Sequence, residues 1–271
     1  MERVSLMGLD IDAMTEEQAV ARVVDRSLND EGGWVITPNL DHLRQFRRKP
    51  SLRRHFAEAD LVLADGMPLV WASRLQDTPL PERVAGSDLI WSLTEELGRR
   101  GGSLFLVGGN PGTAEEAGGM LEQRAPGLRV VGTTCPPVGF EFDDDQMESI
   151  VTSLRDARPD VVYVGLPLDK QVAVIPHLRE QLPGTWFLGL GISFSFVTGD
   201  VARAPAWMQR HGLEWIHRLV QEPKRLFRRY LLEGVPLSAS LFTRSSVRGL
   251  QRRGRRRRGL PVDEAAAARP R

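Results

Sequence analysis

Six short apolar runs lie between residues 34 and 191, and each breaks off at a glycine, a proline or a polar residue. They are Trp34-Val35-Ile36-Thr37, Leu61-Val62-Leu63-Ala64, Ser103-Leu104-Phe105-Leu106-Val107, Leu128-Arg129-Val130-Val131-Gly132, Val161-Val162-Tyr163-Val164-Gly165 and Trp186-Phe187-Leu188-Gly189-Leu190-Gly191. Most give way to a stretch with helical spacing. Strand-length runs alternating with helices specify a parallel sheet covered on both faces, an α/β fold with a Rossmann-like parallel sheet core. Such sheets bind ligands outside the carboxyl ends of their strands, so the breaks are where chemistry is to be sought.

The second run ends in Asp65-Gly66, followed by Pro68. Gly66 lets the chain turn and Pro68 suits the first turn of a helix over 68–75, which leaves a carboxylate at a strand exit. The loop from Asp77 to Asp88 holds two prolines, the buried-looking Val84-Ala85, and Arg83. An arginine in a stiff loop near a strand-end acid binds phosphate or orients the acid. The alternative is a turn aspartate with a surface arginine, and these residues alone leave both open. Thr37 and Asn39 occupy the first run's exit. If the two strands lie side by side they share a rim with Asp65; otherwise they are ordinary cap and turn residues.

After Val107, Gly108-Gly109-Asn110-Pro111-Gly112-Thr113 is a glycine-rich turn into a helix, whose backbone N–H groups can face a diphosphate. It has neither the Lys-Ser/Thr pair of a P-loop nor a full Gly-x-Gly-x-x-Gly, so no ATPase or dinucleotide fingerprint is matched. Thr15 and Gln18 have the spacing of a capping box for a helix to about Leu28, Thr113 and Glu116 repeat it, and Ser87 is a candidate N-cap. Asp143-Asp144-Asp145 reads as the acidic start of a helix rather than a metal site. His42, His55, His177, His211 and His217 show no ligand spacing, so neither metal nor cofactor is expected.

The single cysteine, Cys135, excludes an internal disulfide and fits a reducing compartment. The N-terminus, with Glu2 and Asp10, reads as neither secretory signal nor anchor, and no apolar run approaches the roughly 18 residues of a membrane span. Net charge is +1, which hides an asymmetry. Residues 1–202 hold 19 Lys and Arg against 30 Asp and Glu, a net of −11, whereas residues 203–258 hold 15 against 3, a net of +12. The basic part also carries Trp207, Trp215, Leu219, Leu226, Phe227 and Leu231 at helical spacing, broken where Pro223 begins a second helix. Aromatics beside a cationic face resemble an interfacial membrane helix, although a helix docked on a core has a similar pattern. Three units are therefore expected: an α/β catalytic core over 1–199, a basic amphipathic helical appendage that binds membrane over 200–243, and an Arg-rich disordered tail over 244–271.

Several motifs in one order carry a more specific signal. Thr37-Pro38-Asn39, Ala64-Asp65-Gly66, Arg83-Val84-Ala85-Gly86-Ser87-Asp88 and Gly109-Asn110-Pro111-Gly112 precede Gly199-Asp200-Val201-Ala202-Arg203-Ala204-Pro205, Gly212-Leu213-Glu214-Trp215, Gln221-Glu222-Pro223-Lys224-Arg225 and Arg229-Tyr230. Together, over about Val4 to Tyr230, they resemble the WecG/TagA/CpsF family of glycosyltransferases. The resemblance implies an inverting, metal-independent enzyme that passes a sugar, often N-acetylmannosamine, from a UDP-sugar donor to a lipid-diphosphate-linked acceptor at an anionic membrane surface. It would work on the cytoplasmic face, as a peripheral protein of cell-surface glycopolymer synthesis. Carried over, it makes Asp65 the general base, places Thr37, Asn39, Arg83 and Gln171 around the pocket with the glycine turn at Gly109, and assigns Arg218, Arg225 and Arg228 to the appendage that closes it. Two positions depart from the family: Asp169-Lys170-Gln171-Val172 stands for Pro-Lys-Gln-Glu, and Ser195 follows Phe194 where an Asp is usual. Both fall where the nucleotide-sugar would be held. The rival readings are another nucleotide-dependent α/β enzyme and a basic-tailed nucleic-acid binder; the aromatic amphipathic helices favour lipid and no nucleic acid partner. A homo-oligomer is compatible with the sequence.

Overall fold

The computed structural model describes residues 2–258 of the 271. An antiparallel hairpin of β1 (Arg3–Leu6) and β2 (Leu9–Asp12) leads to α1 (Glu16–Ser27), β3 (Gly33–Ile36), α2 (Leu40–Arg48), α3 (Pro50–Glu58), β4 (Leu61–Val62), α4 (Met67–Leu75) and α5 (Gly86–Arg99). Then come β5 (Ser103–Gly108), α6 (Thr113–Arg124), β6 (Arg129–Thr134), a 3₁₀ turn (Phe140–Phe142), α7 (Asp144–Ala157), β7 (Val161–Gly165), α8 (Leu168–Gln181) and β8 (Trp186–Gly189). The chain continues through α9 (Ser193–Thr198), α10 (Ala206–Arg210), α11 (Glu214–Gln221), α12 (Pro223–Phe227), a π-helical turn (Arg228–Gly234) and the long α13 (Val235–Arg257).

All six apolar runs are strands of one parallel sheet, in the order β4-β3-β8-β7-β5-β6. Their lack of a polar face follows from this, because successive side chains point to opposite faces and helices cover both. Trp34, Ile36, Val62, Phe105, Val162 and Phe187 enter one apolar layer, while Val35, Leu61, Leu104, Tyr163 and Leu188 enter the other. The Thr15–Gln18 capping box forms, and Asp143 caps α7 by accepting from Asp145 N and Gln146 N.

The strand that delivers Asp65 is the shortest and stands at the sheet edge, so its outer N–H needs a partner. Asp12, at the end of β2, supplies it: the buried carboxylate accepts from Val62 N at 2.8 Å and from Arg3 Nε at 2.8 Å. The hairpin turns through Met7 and Gly8, both at positive φ, without the Asn-Gly or Asp-Gly pair that advertises such a turn.

Two expected caps are not made. α5 begins at Gly86 with Ala85 as its cap residue, and α6 begins at Thr113 itself after the left-handed Gly112, so neither Ser87 nor the Thr113–Glu116 pair caps a helix. At Gly86 the reason is proximity: a Cβ there would already touch Thr37 Oγ1 and Leu190 Cδ2 at 3.4 Å, so the helix starts against the exit of β3.

The larger correction concerns the tail. Residues 244–257 continue α13 rather than forming the expected disordered segment, and residues 259–271 lie outside those described. The buried residues of α13 are Leu237, Leu241, Ser245 and Gly249, a four-residue stripe hidden in sequence by the arginines around it. The stripe packs on α4. A Cβ at Gly249 would fall well inside 3.0 Å of the Leu75 carbonyl oxygen, and beyond it Arg253 and Arg256 reach Asp77 at 3.7 and 3.2 Å. The contact is therefore glycine-specific. Gly249→Ala should lower Tm by several degrees, corresponding to about 1–3 kcal/mol of overpacking. Gly254→Ala, on the same helix with nothing within 4 Å, should raise it slightly, since alanine favours helix by up to about 1 kcal/mol. Thermal melts of the two variants check this, and changes of the same sign would mean that α13 is not seated on α4.

Candidate active site

A cleft of about 780 Å³ opens along the carboxyl edge of the sheet. The exits of β3, β4, β5, β7 and β8 form its floor, and α2, α4, α11, the π turn and α13 wall it. Thr37 lies buried just beyond β3. Asn39 caps α2, its Oδ1 accepting from Asp41 N and His42 N at 3.0 and 3.2 Å, and also lines the cleft, so the cap and rim readings both hold for it. Gly109, at φ 81, carries the glycine turn past the end of β5.

Glycines at neighbouring strand ends make room above the sheet. Gly108 lies in register with Gly165, and Gly189 with Val164. A side chain at Gly189 would collide with Gln171, which is buried against it and donates from Nε2 to Leu166 O at 2.7 Å. Gln171 thus faces the cleft as a fixed amide. Of the two departures from the family pattern, Ser195 lines the cleft, whereas Val172 packs into the apolar core and is not among the cleft residues, contrary to the expectation for it.

Asp65 follows β4 with its backbone N–H on Pro38 O at 2.9 Å. Its side chain keeps 27% exposure, opening into the cleft. Arg83, 16% exposed, brings Nη1 within 3.9 Å of Asp65 Oδ1 and 3.4 Å of Glu214 Oε2, and Nη2 within 2.7 Å of Asp88 Oδ2. Asp88 also pairs with Arg203. Burial raises the Asp65 carboxyl to about 6; Arg83 opposes that rise, Glu214 and Asp88 add to it, and Arg218 opposes it again. A carboxylate so placed is a competent proton acceptor near neutral pH.

The appendage places its arginines unequally. Arg218 on α11 lines the cleft with its guanidinium 5.8 Å from the centre of the Phe196 ring, and its Nε is buried without a hydrogen bond. Arg228 is 81% exposed, pairs with Glu233 at 3.6 Å, and is not among the cleft residues. Arg229 is, pairing with Asp41 at 3.1 Å. The side chain of Arg225 lies outside the described residues. Both arginines stand at the start of the π turn, and it is the Asp41 carboxylate on α2 that holds Arg229 inward. His42 also lines the cleft, pushed down to about 4 by burial and then by Arg229, so it is neutral. Sequence reasoning gave Glu214, Arg229, Arg203 and His42 no role, although the first three lie within the motifs that carry the family resemblance.

Residues 4–252 match the glycosyl transferase WecG/TagA/CpsF family. The chain belongs to this family. It is a glycosyltransferase. Over 196 residues, 72% of this chain and 74% of the relative, it is 30% identical to the N-acetylglucosaminyldiphosphoundecaprenol N-acetyl-beta-D-mannosaminyltransferase of Bacillus spizizenii strain W23.

A buried ionised carboxylate costs this glycosyltransferase stability. Because the folded pKa of Asp65 lies above the ordinary value of 3.8, its contribution is most favourable below about pH 4 and is lost as pH rises through about 6. Asp65→Asn should therefore melt at least as high as the parent at pH 7.5, and its advantage should shrink toward pH 4. Melts of both proteins at the two pH values check this; a variant that melts well below the parent at pH 7.5 would give Asp65 a structural role.

Proposed function

We propose that this glycosyltransferase moves N-acetylmannosamine from a UDP-sugar to a lipid-diphosphate-linked N-acetylglucosamine, with inversion and without a metal, in cell-wall glycopolymer synthesis. The observation that carries the reading is the Asp65 carboxylate on the cleft floor, raised to about 6 and flanked by Arg83 and Arg218. The transferred sugar and the acceptor follow from the relative's printed activity, and the UDP donor from what the family resemblance implies. Asp65 takes the proton of the acceptor hydroxyl as its oxygen attacks the anomeric carbon; the bond from that carbon to the diphosphate oxygen breaks, and its electron pair leaves with UDP. Positive charge and N–H groups must meet the leaving diphosphate, and Arg218 with the glycine turn at Gly109 stands in the cleft for that role. Arg83 is engaged by Asp88 and Glu214 and is not assigned to the phosphates. The neutral His42 does not titrate near pH 7 and is assigned no proton transfer.

Membrane attachment belongs to the same reading. Among the described residues no helix is long and apolar enough to cross a membrane. Trp207, Val220 and Phe227 are exposed on α10, α11 and α12, in a segment rich in arginine. That combination suits a peripheral position on the anionic inner face, where apolar side chains enter the interface and each nearby arginine adds about 1 kcal/mol.

Asp65→Asn should keep UDP-sugar binding but lose roughly 10²–10⁴ of turnover, and the parent's rate should rise with pH through about 6. Transfer from UDP-N-acetylmannosamine to a short-chain, soluble lipid-diphosphate acceptor measures both. Activity should survive excess chelator, because this reading assigns the charge of the leaving diphosphate to Arg218 and the glycine turn. Near-parental turnover in Asp65→Asn, or loss on chelation restored by Mg²⁺ or Mn²⁺, would overturn the corresponding part.

Trp207→Ser, Val220→Ser and Phe227→Ser combined should abolish flotation with anionic liposomes while sparing turnover on the soluble acceptor. Salt should weaken the parent's flotation, because exposed charges are screened over about 10 Å at about 0.1 M. Unchanged flotation in the triple variant would move the membrane contact elsewhere.

A further inference from the structure

Arg83 does not sit on Asp65. Of the three carboxylates around its guanidinium, Asp65 is the farthest, at 3.9 Å, against 3.4 Å for Glu214 and 2.7 Å for Asp88. Asp88 extends from α5 and is also paired with Arg203, which fixes it in place. Glu214 is the first residue of α11, part of the appendage, and reaches the same Nη1 that Asp65 faces. It is 19% exposed and lines the cleft. A closer Arg83–Asp65 pair would favour the ionised acid while occupying the lone pairs that must accept a proton.

We infer that Glu214 is a positioning residue for glycosyl transfer, holding Arg83 away from Asp65 so that the base stays free and basic when α11 is docked over the cleft. The inference rests on Asp65 being the general base. It makes the appendage part of the base's environment as well as a cover. Its physical content is a competition for one guanidinium. The charged groups facing Asp65 are Arg83 from the loop before α5, Asp88 from α5, and Glu214 and Arg218 from α11; the two acids raise it and the two arginines lower it. Removing the Glu214 charge takes away one raising influence and releases Arg83 toward Asp65. Both changes act in the same direction.

The test is the pH profile of kcat/KM with UDP-N-acetylmannosamine and the soluble lipid-diphosphate acceptor, for the parent, Glu214→Gln, Glu214→Asp and Asp65→Asn. Glu214→Gln should move the acid limb to lower pH and reduce the plateau rate by roughly tenfold or less, a fraction of the 10²–10⁴ carried by a whole base. Glu214→Asp, which keeps the charge, should lie between Glu214→Gln and the parent. A limb that stays in place while KM rises would mean that Glu214 merely fastens α11, and would overturn the inference while leaving the base assignment intact. If instead the limb persists in the residual activity of Asp65→Asn, Asp65 is not the base and both readings fall.

Discussion

A single guanidinium, that of Arg83, is shared among carboxylates from three parts of the chain, and the cleft is organised around it. Asp65 comes from a strand exit, Asp88 from α5 and Glu214 from the appendage. Three acids at one site repel one another unless cations stand between them, and Arg83 and Arg203 do so here. Burial then favours the neutral form of whichever acid is least well paired, and that acid is Asp65. The same arrangement that raises the Asp65 carboxyl makes the folded state pay for its ionised form.

A carboxylate with that burden needs a firm support, yet β4 is a two-residue edge strand. The fold braces it on both sides. Before Asp65, the Asp12 carboxylate completes the hydrogen bonding of Val62. After it, α4 starts at Met67, and α13 lies along α4 with Gly249 against the Leu75 carbonyl. A long helix at the end of the sequence thus supports the element that begins two residues after the catalytic candidate. Parallel sheets permit this economy because all their strand exits share one edge, so a single layer of helices can cover every exit at once.

Much of this was legible in the sequence because burial on both faces leaves continuous apolar runs, and because Gly, Pro and Asp mark where those runs end. The six strands, the strand-end position of Asp65, the cap at Asn39 and the glycine turn at Gly109 follow from local residue chemistry. What was missed depends on contacts between distant segments. The stripe of α13 is too sparse to outweigh its arginines in a reading by composition, so a packed helix read as a disordered tail. The choice between Arg228 and Arg229 turns on Asp41, a carboxylate about 190 residues away in the chain that pairs with the second and not the first. Glu214 looks like an acid in the first turn of an amphipathic helix, which it is; only its approach to Arg83 across the cleft makes it more.

The charge asymmetry also takes on a different meaning once partners are assigned. A segment of +12 beside a body of −11 suggests a free cationic surface, but part of that charge is used internally. Arg229 pairs with Asp41, Arg203 with Asp88, and Arg253 and Arg256 with Asp77. Part of the complementarity therefore fastens the appendage to its own core, and exposed aromatic and aliphatic side chains must carry a correspondingly larger share of any attachment to lipid. Since Glu214, Arg218 and Arg229 belong to the same run of helices as Trp207, Val220 and Phe227, an interface that seats those apolar groups also bears on the placement of the charges in the cleft. A lipid-linked acceptor presented at a membrane would then meet its binding surface and the completed base environment in one event.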